Sequence, residues 1–165
     1  MKRRYFLRLR DRYTRRGKSF VYIDESGFEA ETVRQYAWSP KGKKVYGLRS
    51  GHTRPRTSLL AARMGQTFEA PILFEGTCNA DIFNMWIEDH LAIHLNQNHV
   101  VVMDNAAFHK STKTKDLIEQ TGATLLFLPP YSPDLNPIEN DFAIIKSIRE
   151  YSDATSLDDI IKMYN

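Results

Sequence analysis

From His99 to Tyr151 the chain alternates short, wholly apolar runs with amphipathic stretches: HVVVM, then Ser111 to Thr121, then ATLLFL, then Pro137 to Tyr151. An apolar run too short for a helix reads as a strand covered on both faces, and strands joined through helices lie parallel. That order confines the chain to an α/β architecture with helices packed against its sheet. Upstream, SFVYID (Ser19 to Asp24), Thr57 to Met64 and Pro71 to Phe74 read as further strands, with a turn-rich stretch from Ser39 to Gly51 that predicts hairpins. The sheet is therefore expected to be mixed. At 165 residues, 42% of them hydrophobic, the chain can bury one core of ordinary size.

The helices carry their own boundary signals. Phe6, Leu9 and Tyr13 share one side of a leading helix that ends near Gly17. Asn79 starts a helix to about Leu95, Gly122 closes the one that begins at Ser111, and Ser156 caps a last short helix, Leu157 to Tyr164. In LNPIEND, Asn136 reads as an N-cap, Pro137 as the first helical residue and Glu139 as the reciprocal member of a capping box. No apolar run approaches the ~18 residues that span a bilayer. The lone Cys78 has no partner for an internal disulfide, which predicts a reducing, cytoplasmic setting. Of five histidines (52, 90, 94, 99, 109) only His90 and His94 stand at helical spacing, so zinc is not expected.

Charge is distributed unevenly. The net charge is only +3, yet residues 1–18 hold nine Lys or Arg against the single Asp11, and a second zone from Arg34 to Arg63 holds eight with no acid. Such segments suit phosphate backbones. They are equally at home as solvated faces, and patterning alone does not choose.

Three acids stand in contexts that carry chemistry. Asp24 follows the strand FVYI and Asp104 follows VVVM, so each is expected to project from a strand's C-terminal end, where α/β folds gather their sites. Each alone is also an ordinary turn residue. Glu139 has the capping job as its alternative, although the same proline-stiffened loop (Pro129, Pro130, Pro133, Pro137) would hold a carboxylate rigidly at a helix start. Hard cations such as Mg²⁺ take carboxylate oxygens, and paired ions clamp both oxygens of a phosphoryl transfer. Metal-dependent phosphodiester cleavage fits three acids with basic flanks.

The segments YIDESGF (Tyr22 to Phe28), VVMDNAAFHK (Val101 to Lys110) and LPPYSPDLNPIE (Leu128 to Glu139) resemble the catalytic segments of the DDE transposases of bacterial insertion sequences related to the mariner group. Asp104 and Glu139 are separated by 34 residues, a spacing that resembles the family's last two acids. The resemblance implies a ribonuclease H-like five-stranded mixed sheet with helices on both faces, formed by residues 19–165 behind a basic linker helix at 1–18. It implies Asp24, Asp104 and Glu139 as catalytic residues and ligands of two Mg²⁺ ions, replaceable by Mn²⁺. Asn105, His109 and Glu25 would be auxiliary, and Arg3, Arg4, Arg15, Arg16, Lys43, Lys44, Arg54, Arg56 and Lys110 would contact DNA. Trp38 resembles a family motif and reads as a core aromatic. Phe142 stands where the family often carries Trp.

The activity so implied is strand cleavage at insertion-sequence ends and transfer into target DNA, by a homodimer in a DNA complex. Full-length relatives carry an N-terminal helix-turn-helix that reads those ends. Only Met1 to Lys18 precede the catalytic segments here, so the expectation is a DNA-reading half encoded separately. Two alternatives are a nuclease of the same fold without strand transfer, and an inactive remnant that binds DNA or a sister transposase.

Overall fold

The computed structural model describes residues 2–29, 39–44, 46, 56–152 and 155–164. Helix α1 (Lys2–Arg15) leads into β1 (Ser19–Phe28), β2 (Thr57–Met64) and β3 (Thr67–Glu75). Helix α2 (Ala80–Trp86) then runs on through a wide π turn at Ile87–Leu91 and a 3₁₀ turn at Ala92–His94. Next come β4 (His99–Met103), α3 (Thr112–Gln120), β5 (Thr124–Phe127), α4 (Ile138–Tyr151) and α5 (Leu157–Tyr164). The five strands lie in the order β3-β2-β1-β4-β5. β1 pairs antiparallel with β2, as does β2 with β3, whereas β1–β4 and β4–β5 are parallel. The sheet is mixed, as the alternation of elements predicts.

Side-chain alternation divides the core between two faces. Val21, Ile23, Val101 and Met103 point to one face, where Phe83, Trp86, Ile87, Leu91 and Ile118 of α2, the π turn and α3 cover them. The other face carries Val100 and Val102 under α1, and Leu59 and Ala61 under α4 and α5. Phe142 packs there at 2% exposure, edge-on to Phe68, so the core takes this aromatic without difficulty. Helix α1 is docked rather than detached, because Phe6 is 3% exposed among Val100, Val102, Leu128 and Leu135.

Capping explains most boundaries. Asn79 Oδ1 accepts from the Ile82 amide at 2.9 Å, Ser111 Oγ from Thr114 at 3.0 Å and Ser156 Oγ from Asp159 at 3.1 Å. Gly122 leaves α3 at φ +82°, a left-handed conformation that glycine adopts without strain. One irregularity was not foreseen. Ala70, at φ +52°, and Pro71 together face a single position of β2, forming a bulge in the edge strand β3, where a residue lacking an N–H is tolerated. The exposed Ala70 carbonyl is taken by Trp86 Nε1 at 2.7 Å.

Two boundary readings need correction. β1 does not end at Asp24: it continues through Glu25, Ser26 and Gly27 to Phe28, paired with β2 alone. Only its parallel pairing with β4 stops early, at Tyr22 opposite Val102. Helix α4 is capped by Pro137 without a side-chain hydrogen bond, so Asn136 and Glu139 form no capping box. Trp38 and Arg54 lie outside the described residues, as does most of the turn-rich segment from Ser39 to Gly51. Among the described residues no helix is long and apolar enough to cross a membrane.

Candidate active site

The β1–β4 register brings the first two acids together. Tyr22 stands opposite Val102, so Asp24 and Asp104, each two residues further on, point to the same face from adjacent strands. That face carries α4, whose first turn contributes Glu139. The three carboxylates border one open cleft of about 500 Å³, closed on its far side by the loop from Leu128 to Pro133 and by Asn136.

Each acid is held differently. Asp24 Oδ1 accepts the Glu25 amide at 2.8 Å, and Oδ2 accepts Asn136 Nδ2 at 2.8 Å. Burial pushes the Asp24 carboxyl up to about 7, helped by the neighbouring charges of Glu139 and Asp104 and a hydrogen bond shared with Glu139. Asp104 shifts the opposite way. His109 Nδ1 lies 2.6 Å from its Oδ1, the Ala106 amide donates to the same oxygen at 2.9 Å, and Lys110 adds positive charge, so Asp104 is held below the usual carboxylate range. Glu139 is exposed on the rim.

This oxygen-only donor set is the kind that hard divalent cations take. The convergence expected from the sequence is looser than metal ligation requires: among the described residues no three of His, Cys, Asp and Glu are grouped tightly enough to hold an ion as they stand.

The auxiliary residues separate in role. His109, 2% exposed and packed 4.3 Å from the Phe83 ring, is built into the core and orients Asp104. Asn105 Nδ2 donates to the Leu128 carbonyl, tying the end of β4 to the cleft loop. Glu25 alternates to the opposite face of β1, where Ser58 Oγ reaches it at 3.1 Å; its backbone amide, not its carboxylate, serves Asp24. With burial as the main cause, Glu25 also pushes the Cys78 thiol up to about 12.

The basic residues differ in their surroundings. Arg3 is paired to Asp134 at 2.5 Å and reaches Ser132 at 3.4 Å, which sets the start of α1 against the cleft loop. Arg15 pairs with Asp11 at 3.4 Å, while Arg4, Arg16, Lys43, Lys44 and Lys110 are exposed. The Arg56 guanidinium lies across Gly27, 1.8 Å from where a Cβ would stand, so only glycine admits it there. Two cleft residues were not singled out from the sequence. Asn136 was hidden by its capping reading, and Tyr131 is fully exposed on the rim in a left-handed conformation at φ +54°. Both lie within the motif LPPYSPDLNPIE.

Comparison with known proteins places this geometry. The fold matches the Mos1 strand transfer complex with a TM-score of 0.76 at 20% identity, over 98% of this chain and 51% of that chain. The mariner Mos1 paired-end complex with Mg gives 0.75 at 20% identity, over 98% of this chain and 52% of that one. The catalytic domain of Mos1 mariner transposase gives 0.65 at 17%, over 98% and 76%. At such identities the likeness is one of fold, and it is the ribonuclease H-like sheet that the sequence motifs imply. The chain spans about half the length of the Mos1 chains in the two complexes. A 41-residue stretch is also 46% identical to the uncharacterized protein y4pE/y4sA of Sinorhizobium fredii (strain NBRC 101917 / NGR234), covering 25% of this chain and 28% of that protein. The sequence profile of the DDE superfamily endonucleases matches residues 19–161, nearly the whole chain, and the chain belongs to that family.

Proposed function

We propose that this chain is the catalytic domain of a transposase that cuts DNA strands at the ends of an insertion sequence and joins them to target DNA, with Asp24, Asp104 and Glu139 as its acting carboxylates. The observation that carries the reading is the cleft: two acids from neighbouring parallel strands and a third from the first turn of α4 border one open cavity. Two Mg²⁺ or Mn²⁺ ions held by these carboxylates would activate the attacking hydroxyl and stabilise the leaving oxygen. The chain's own residues set up that site. His109 keeps Asp104 anionic and fixed, the Glu25 amide and Asn136 fix Asp24, and the proline-rich loop walls the cleft. Nicking of supercoiled DNA tests the cleavage step, and a strand-transfer assay separates a transposase from a plain nuclease. A folded chain that binds DNA but neither nicks nor joins it would instead be the inactive remnant.

The ion preference follows from the donor set. Mn²⁺ should replace Mg²⁺, whereas Ca²⁺, with longer bonds and looser geometry, should bind without supporting nicking. Activity that requires Zn²⁺, or that persists in a chelator, contradicts the assignment.

DNA is the proposed substrate and partner, engaged by a pair of these chains, with element ends read by a helix-turn-helix segment. The basic side chains described here supply attraction to phosphates and no sequence readout. Because Phe6 is part of the core, the test is removal of charge rather than of the helix. Replacing the exposed Arg4 and Arg16 by Gln should reduce the slope of log affinity against log salt by about 2, if both lie on phosphates. An unchanged slope removes them from the DNA interface.

A further inference from the structure

Asn136 makes contacts that neither a loop residue nor a helix cap requires. It is 3% exposed, at the end of the proline-rich loop immediately before α4. Its side chain turns away from that helix and donates from Nδ2 to Asp24 Oδ2 at 2.8 Å, across 112 positions of sequence. Its backbone carbonyl accepts the Glu139 amide at 3.2 Å. One residue thus touches the elements that carry the first and the third acid. The remaining polar atom is the informative one: Asn136 Oδ1 is buried at the cleft and has no hydrogen-bond partner among the described residues. A buried carbonyl left without a donor is costly. With Asp24 ionised, as a bound cation requires, rotating the amide by half a turn does not relieve it, because Oδ1 would then face the Asp24 carboxylate, and two acceptors repel.

We propose that Asn136 is a positioning residue of the carboxylate site, holding Asp24 through Nδ2 and presenting Oδ1 as the acceptor for a water of a hydrated divalent cation. The inference rests on the reading of this cleft as a cation site. Mg²⁺ and Mn²⁺ keep part of their hydration shell when bound by carboxylates, and those waters are strong donors in need of fixed acceptors. Asp24, Asp104 and Glu139 offer charge, whereas a neutral amide oxygen orients a water without adding repulsion.

Mn²⁺ binding to the whole chain without DNA, followed through the loss of the free-ion EPR signal, tests this alongside the melting temperature without metal. Asn136→Leu keeps the volume and removes donor and acceptor; it should weaken Mn²⁺ binding by about 10- to 100-fold. Asn136→Ala opens space for a water that can donate to Asp24 and accept in place of Oδ1, so its affinity should fall between Leu and wild type. Stability should follow a different order, with Leu at least as stable as Ala because it leaves no gap. A merely structural role predicts that affinity tracks melting temperature, and that result overturns the proposal. So does Mn²⁺ binding by Asn136→Leu within about twofold of wild type. If the Leu variant does not fold, the Ala variant decides alone: weakened Mn²⁺ binding by folded protein supports the proposal, and unchanged binding overturns it. Asp104→Asn separates the two levels of the argument. Wild-type protein that binds no Mn²⁺, or an Asp104→Asn variant that binds it equally well, removes the cation site and this inference together. Loss in Asp104→Asn with none in either Asn136 variant removes this inference alone.

Discussion

Replacing Asp24 or Asp104 by Asn is expected to lower Mg²⁺-dependent nicking of supercoiled DNA by about 10³-fold or more, with the fold retained. Metal ions at a phosphoryl centre contribute several kcal/mol of charge stabilisation, and each ~1.4 kcal/mol is a factor of ten in rate. Retention of the fold follows from the hydrogen bonds. His109 and the Ala106 amide both donate to Asp104 Oδ1, so one amide oxygen keeps both bonds; at Asp24 the Glu25 amide and Asn136 Nδ2 take different oxygens, so Asn keeps one bond there and loses the other. What the amide lacks is the charge that holds a cation. Glu139→Gln extends the test. No side chain caps α4, so Gln disturbs no cap, and its amide can still share a hydrogen bond with Asp24; Glu139→Gln should abolish nicking while leaving the melting temperature nearly unchanged. Nicking by an Asp104→Asn protein at near wild-type rate would end the assignment of this cleft as the active site.

The largest loss of stability is expected from Trp86→Ala. Trp86, the last residue of α2, is fully buried against the sheet, and its indole N–H is the donor for the Ala70 carbonyl at the β3 bulge. Truncation empties the largest side-chain volume in that core and leaves the carbonyl unpaired. Large aromatic truncations cost about 3–5 kcal/mol, which for a chain of this size lowers the melting temperature by on the order of 10 °C. Trp86→Phe keeps most of the volume and loses only the donor, so its penalty should be clearly smaller. Equal penalties in thermal melts would show that the hydrogen bond, not the volume, dominates.

The parts legible in the sequence were those set by local physics. β4 and α3 fall where apolar runs, caps and Gly122 place them, and the alternation from His99 onward gives the parallel half of the sheet. That Asp24 and Asp104 stand together was legible because the two strands that precede them share a pattern, FVYID and VVVMD. What could not be read depends on contacts remote in sequence. β1 runs past Asp24 because β2 pairs with it as far as Thr57 opposite Phe28, and no local signal in DESGF announces that partner. The Ala70 bulge takes its place from a tryptophan 16 residues away. Asn136 stands where a cap residue belongs, and only the fold shows its side chain spent on Asp24 instead.

The strand order also governs when the three acids come together. β1, β2 and β3 form a meander of successive partners, whereas β1 meets β4 only after Ser19 closes on His99, and β4 meets β5 only after Val100 finds Thr124. Such distant parallel pairings are slow, because the intervening chain must be gathered before any contact rewards it. Asp24 and Asp104 become neighbours through the first of them, and Glu139 joins when α4 docks. A chain still leaving the ribosome, or one partly unfolded, therefore holds its acids apart, and the cleft proposed as the active site exists only once folding is complete.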